Sequence, residues 1–171
     1  MVFFDKTKCD CCVCPMQFVL EQLVSQEVGI ETQTSSAAFQ LNEVKNFIAF
    51  TNQGTLSICN ISAVILPVNF PLNIKPIKKS KGECVCCEDP ITNLAKSLIG
   101  KRVLINYLQP IGPLQGLIID VGEGIVLIEF EGISGLEIAA ISACIITEMN
   151  PVDASSNILQ HANRLRHVSR D

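Results

Sequence analysis

The residues with chemistry to offer in this chain are its nine cysteines. Cys9, Cys11, Cys12 and Cys14 form one cluster; Cys84, Cys86 and Cys87 form a second, where Asp89 stands in place of a fourth thiol. C-x-x-C pairs occur in both: Cys9 with Cys12, Cys11 with Cys14, and Cys84 with Cys87. Two chemistries use thiols spaced this way. One pair from each cluster, Cys9 and Cys12 with Cys84 and Cys87, can complete a tetrahedral zinc site, because Zn2+ accepts four thiolates. Alternatively, the sulfurs oxidise in pairs. Neighbours such as Cys11 and Cys12 seldom bond to each other, since that geometry is strained, so they reach separate partners. Short crowded leads suit bridges between molecules, and an odd total agrees with inter-chain pairing. The gap between the clusters is far longer than in zinc ribbons. The expectation is therefore disulfide cross-linking through Cys9, Cys11, Cys12, Cys14, Cys84, Cys86 and Cys87. No cofactor is expected, and zinc at Cys9, Cys12, Cys84 and Cys87 is the alternative. Cys59 and Cys144 sit apart in apolar runs and read as small buried hydrophobes.

No catalytic constellation accompanies the thiols. His161 and His167 fall in the C-terminal tail, away from any Ser or Asp motif, and Gly122-Glu123-Gly124 reads as a hairpin bend. The chain is expected not to be an enzyme.

A duplicated unit must position the clusters. With an offset of 75, Cys9-Asp10-Cys11-Cys12 maps onto Cys84-Val85-Cys86-Cys87, Pro15 onto Pro90, Leu23 onto Leu98, Val28 onto Val103 and Ile30 onto Ile105. Further on, Leu56, Ile58, Ile61, Ser62, Ala63 and Ile65 map onto Leu136, Ile138, Ile141, Ser142, Ala143 and Ile145 with an offset of 80. Such self-similarity marks tandem copies. Each copy opens with a helix. Pro15 precedes a stripe of Val19, Leu20, Leu23 and Val24; Asp89 and Pro90 precede Ile91, Leu94, Leu98 and Ile99, with Gly100 as the stop. About five short strand-like runs follow in each copy. The division is a cysteine-rich lead over 1–14, a helix and barrel over 15–67, and a linker carrying the second cluster over 68–89. A second helix and barrel over 90–149 and a C-terminal helical tail over 150–171 complete it. In the tail, Ile158, Leu159, Ala162 and Leu165 share one face.

Composition narrows the function classes. Hydrophobic residues make up 48% and charged residues only 18% of the chain, and mean hydropathy is +0.36. So apolar a surface suggests burial against other subunits. A net charge of −4 argues against nucleic acid or an anionic membrane as partner. The basic run Lys75, Lys78, Lys79 and Lys81 reads as a solvated linker. The N-terminal sequence has no secretory pattern, and no run reaches transmembrane length, so synthesis in the cytosol is expected.

Two resemblances sharpen the reading. The run Leu94-Ala95-Lys96-Ser97-Leu98-Ile99-Gly100-Lys101-Arg102-Val103-Leu104-Ile105-Asn106 resembles the opening of Sm-like domains, a short helix ending at glycine before an alternating strand. Gly116–Asp120, Gly124–Ile128, Leu136–Ile138 and Ile141–Ile146 are similar to that family's remaining strands. The fold class this implies is mostly β: two tandem small Sm-like or SH3-like β-barrels, each preceded by a short α-helix, plus the C-terminal helix. The RNA-reading residues of that family are missing. Asp120 has no Asn before Ile125, Glu43-Val44-Lys45-Asn46 is half a match, and neither fourth strand carries Arg-Gly. An Sm-like RNA-binding protein is thus the least favoured reading.

Cys11-Cys12-Val13-Cys14-Pro15 and Gly82-Glu83-Cys84-Val85-Cys86-Cys87, taken with the rest of the chain, look like cysteine-rich coat or exosporium proteins of Bacillus-type spore formers. That resemblance implies a structural subunit of a disulfide-linked layer or fibre. It implies synthesis in the mother cell cytosol and final residence on the spore surface. The partners implied are further copies of the chain and other coat or exosporium proteins, with no nucleic acid and no membrane. A zinc-stabilised adaptor is the alternative.

Overall fold

A computed structural model describes residues 11–78, 82, 84–133 and 135–152, except for the side chain of Cys84. Cys9, the C-terminal helix expected after residue 152, His161 and His167 therefore lie outside the described residues.

Each copy begins with a helix and ends it in the same way. In the first, α1 spans Val13–Glu21, with Pro15 in the opening turn, where no backbone N–H is needed. It buries Met16, Val19 and Leu20. In the second, a single turn α2 (Cys84–Cys87) leads into α3 (Asp89–Ser97), with proline at its start. The chain leaves the first helix at Ser25 with a φ of 71° and the second at Gly100 with a φ of 80°. Ser25 N–H donates to Leu41 O at 2.7 Å, and Gly100 N–H donates to Ile118 O at 2.8 Å. These left-handed residues satisfy the turn towards the sheet.

Five strands follow each helix. They are β1 (Glu27–Thr32), β2 (Ser36–Lys45), β3 (Ile48–Thr51), β4 (Gly54–Ser57) and, after a 3-10 turn at Ile58–Asn60, β5 (Ile61–Pro67). The second set is β6 (Arg102–Tyr107), β7 (Leu114–Gly122), β8 (Ile125–Gly132), β9 (Gly135–Ser142) and, after a 3-10 turn at Ala143–Ile145, β10 (Ile146–Pro151). All ten make one antiparallel sheet in the order β10-β6-β7-β8-β9-β5-β1-β2-β3-β4. The mostly-β class holds, but two separate closed barrels do not form. The sheet stays open, and the copies fuse where β5 pairs with β9, from Ala63 opposite Ile141 to Pro67 opposite Glu137.

The duplication extends to individual hydrogen-bonded pairs. Ile30 opposes Val64 as Ile105 opposes Met149, with a register shift at the same place in both copies. Leu41 opposes Thr51 as Ile118 opposes Ile128, again with matching shifts before Glu43 and Asp120. These pairs fix the correspondence at 75 through β1, 77 through β2 and β3, and 85 from β4 onward. The offset of 80 expected for the last strands is thereby corrected: Ser57-Ile58-Cys59 corresponds to Ser142-Ala143-Cys144. Some of the added residues lie in the connection between β6 and β7, and the rest lengthen one hairpin, in which β8 and β9 have 8 residues each against 4 in β3 and β4. Ile, Leu and Ala recur so densely there that several alignments place apolar on apolar.

Fusion gives the central strands two buried faces. Along β8, Ile125 and Leu127 enter one core while Val126 and Ile128 enter the other; on β9, Ile138 and Ala140 oppose Ala139 and Ile141 in the same sense. On β5, Val64 and Leu66 join the first core and Ala63 the second. Strands buried on both sides need continuous apolar runs, which these are. The connector after β5 has no regular structure up to residue 78, yet it is packed: Phe70, Leu72 and Ile74 cover the first core and Ile77 the second.

Ser25 carries a side chain in a left-handed conformation, which costs on the order of 1 kcal/mol relative to glycine. Ser25→Gly is expected to stabilise the fold by about 0.5–1 kcal/mol in denaturant unfolding; destabilisation would show that the Ser25 side chain holds the turn.

Candidate functional site at the joint between the copies

The joint made by β5 and β9 is also where cysteine chemistry concentrates. Cys12 is the N-cap of α1, and Cys144 lies in the turn after β9. They are joined by a disulfide with their Cα atoms 5.9 Å apart, across a sequence separation of 132. One bond thus ties the first copy's helix to the second copy's last turn. Cys12 is buried and Cys144 half-buried. Cys144 N–H donates to Cys12 Sγ at 3.0 Å, and Cys12 N–H approaches Cys144 Sγ at 3.4 Å.

A carboxyl group closes over the bond. Glu88 is 4% exposed, and its Oε2 lies 3.8 Å from Cys12 Sγ. Burial pushes its pKa above the ordinary 4.5, Glu123 and Asp89 add to the rise, and the Gly124 N–H pulls it partly back. Gly124 has a φ of +63°, and a Cβ there would sit 3.0 Å from Pro15, 3.2 Å from Glu88 and 3.3 Å from Cys12. A side chain at this position would be strained and crowded.

A second polar tie crosses between the copies. The Tyr107 hydroxyl of β6 donates to Glu31 Oε2 of β1 at 2.6 Å, and both residues are buried. Burial raises the Glu31 pKa from 4.5, and the tyrosine hydrogen bond offsets part of that rise. Tyr107 is pushed up as well, by burial and by its carboxyl partner.

The remaining cysteines divide sharply. Cys11 and Cys14 are also disulfide-bonded. Cys59, Cys86 and Cys87 are free and exposed. Cys9 and the side chain of Cys84 lie outside the described residues. Of the zinc tetrad considered from sequence, Cys12 thus has its sulfur committed to Cys144, whereas Cys87 is a free thiol. Cys59 and Cys144 correct the expectation of buried apolar fillers. The 3-10 turns interrupt the strand alternation, leaving Cys59 exposed with Sγ 3.0 Å from Ser57 Oγ and Cys144 half-buried in its disulfide. The signal that identifies them is the repeat itself. At the corrected offset Cys59 is the copy of Cys144, just as Cys87 is the copy of Cys12.

The disulfide, Cys59 and Cys87 all line one open cavity of about 270 Å3, floored by Met16, Ile58 and Ile61. Two thiols therefore stand beside an oxidised pair, an arrangement whose natural chemistry is disulfide formation and exchange. Among the described residues, no helix is long and apolar enough to cross a membrane. Comparison with known proteins finds no matching family, no matching curated protein and no matching solved structure.

In the chain-entropy description, closing so long a loop is worth up to about 5 kcal/mol. Replacing both Cys12 and Cys144 by serine should lower stability by about 2–5 kcal/mol in denaturant unfolding without reductant; an unchanged midpoint would mean the bond does not hold the joint. The two buried carboxyls set a pH dependence. Their folded pKa values lie above 4.5, so over a window starting there the native state keeps protons that the unfolded chain releases. Stability should be greatest below that window and fall as pH rises through it. Unfolding curves from pH 4.5 towards neutrality should show this fall in the parent and a flatter profile in a Glu31→Gln, Glu88→Gln variant. A parent whose stability rises over the same range would contradict the assignment.

Proposed function

We propose that this chain is a structural, self-assembling subunit of a spore-surface layer or fibre, cross-linked between molecules by disulfides. The observation that carries the reading is the state of its sulfurs. Cys11, Cys12, Cys14 and Cys144 are already bonded, while Cys59, Cys86 and Cys87 remain free on the surface. Of the two clusters, the second therefore offers the described thiols for bridges to other molecules, together with Cys59. The open sheet supports the same reading, since an unpaired strand edge is a template for another chain. Each copy has a short helix and a strand order of β5-β1-β2-β3-β4 or its equivalent, which agrees with an Sm-like unit.

On this reading the chain is not an enzyme and has no cofactor. Its partners are further copies of itself and other coat or exosporium proteins, rather than nucleic acid or membrane. It is made in the mother cell cytosol and comes to rest on the spore surface. Oxidised assemblies should withstand boiling in detergent and fall to 18.6 kDa chains once reductant is added. Dissociation in detergent without reductant would refute disulfide linkage.

A zinc-stabilised adaptor is the second reading, favoured by one cluster. Ligand atoms of Cys12, Glu88 and Cys144 lie within 4.8 Å of one another, so reduction would free two thiolates beside a carboxylate. Elemental analysis of the reduced protein decides this: about one zinc per chain, with loss of fold on chelation, supports the adaptor.

A further inference from the structure

We infer that chains join head to tail by repeating, between molecules, the joint that fuses the two copies within one, sealed by a disulfide from Cys87 of one chain to Cys59 of the next. This rests on the structural reading above and specifies its joint.

The internal joint has four parts: strand β5, strand β9, Cys12 and Cys144. The repeat supplies a second set. At the observed correspondence, β10 is the copy of β5, β4 is the copy of β9, Cys87 is the copy of Cys12, and Cys59 is the copy of Cys144. Among the described residues, all four stand unused. Strands β10 and β4 are the two ends of the sheet, each paired on one side only. Cys87 and Cys59 are free and exposed. The two surfaces differ, so the contact is heterologous. It propagates from chain to chain as a filament or closes into a ring.

The helices carry the same asymmetry. Helix α1 touches β9 of the other copy as well as its own turn, and Val19 on it is 0% exposed. Leu94 is the equivalent residue on α3, and it is 41% exposed. An apolar side chain is thus bare in the second copy at the position where the first copy's is covered.

The register of the new joint follows from the old. Ala63 opposes Ile141, Val64 opposes Ala140 and Ile65 opposes Ala139. Transposed by 85, Glu148 of one chain faces Leu56 of the next, Met149 faces Thr55 and Asn150 faces Gly54. Two apolar residues of the internal joint are therefore replaced by Glu148 and Asn150. Glu148 is held at the edge by Asn106 and Asn150, each at 2.7 Å. A charge on an edge strand opposes spontaneous pairing. Strand contact alone is accordingly weak, and the covalent bond holds the joint.

Bond formation needs an electron acceptor, and a low-molecular-weight disulfide supplies it. The Cys59 thiolate attacks that disulfide and expels one small thiol. The Cys87 thiolate then attacks Cys59 Sγ and expels the second, so two protein thiols are oxidised and one small disulfide is reduced.

The test uses the full chain with oxidised glutathione, read by non-reducing electrophoresis and by mass spectrometry of cross-linked peptides. The expected result is a series of covalent multimers, or one closed size, bridged Cys87 to Cys59 and lost with reductant. Cys59→Ser and Cys87→Ser should each remain monomeric alone, with unchanged circular dichroism. Mixed together, they should give a covalent dimer and nothing larger, while Cys86→Ser should polymerise like the parent. Multimers in either single variant alone would overturn the joint and leave disulfide-linked assembly standing. A compact monomer bridged Cys59 to Cys87 within one chain would overturn the joint. A parent that forms no covalent multimer would overturn both.

Discussion

The pairing of β5 with β9 is the contact on which the rest of this structure depends. Neither copy completes a core by itself. The first core borrows Ile125, Leu127, Ile138 and Ala140 from the second copy, and the second borrows Ala63 and Ile65 from the first. A unit of about 60 residues buries too little surface to be robust alone, and here each unit supplies the other's missing wall. Alanines at 63, 139 and 140, all fully buried, let the strands lie between two cores without displacing larger neighbours.

Polar groups at that joint act through burial. Glu31 finds a phenol, Glu88 finds a backbone N–H and a disulfide, and both carboxyls are shifted towards the neutral form. Their perturbed pKa values follow from closing the joint, where a charge would be costly without a counter-ion. The Cys12–Cys144 disulfide serves the same contact by another means, removing unfolded conformations in which the copies separate. Hydrophobic burial, a hydrogen-bonded ladder and a covalent tie therefore reinforce one interface.

Much of the local structure is legible in the sequence, and the long-range structure is not. Pro15 and Pro90 mark two helices, although the first begins at Val13 rather than after the proline. Alternating runs locate nine of the ten strands because each has at least one face in a core; the last run, expected within Ile141–Ile146, is mostly the 3-10 turn, and β10 starts only at Ile146. Closure into separate barrels does not follow from those runs. β5 and β9 look like ordinary short strands, and nothing in Ala63-Val64-Ile65-Leu66 names β9 as its neighbour. The same limit hides the disulfide. Cys12 stands in an obvious cluster, but its partner sits 132 residues away in a run that reads as apolar filler. Local composition made Cys59 and Cys144 look alike, and that likeness was informative. They are copies of each other, one bonded and one free.

The divergence between the copies has a physical logic. At the joint, the first copy presents Ala63, which is buried, and Ile65, which is half-buried; the equivalent places in the second copy are Glu148 and Asn150, which are exposed. A terminal strand as apolar as β5 would pair with any available edge, whatever its chemistry. Glu148 and Asn150 remove that drive without altering the backbone register, which β10 shares with β5 pair for pair. In the joint proposed above, specificity would pass from apolar contact to sulfur, because a disulfide forms only where two thiols can be brought into bonding geometry. Association through the joint proposed above would depend on the oxidation state of the surroundings.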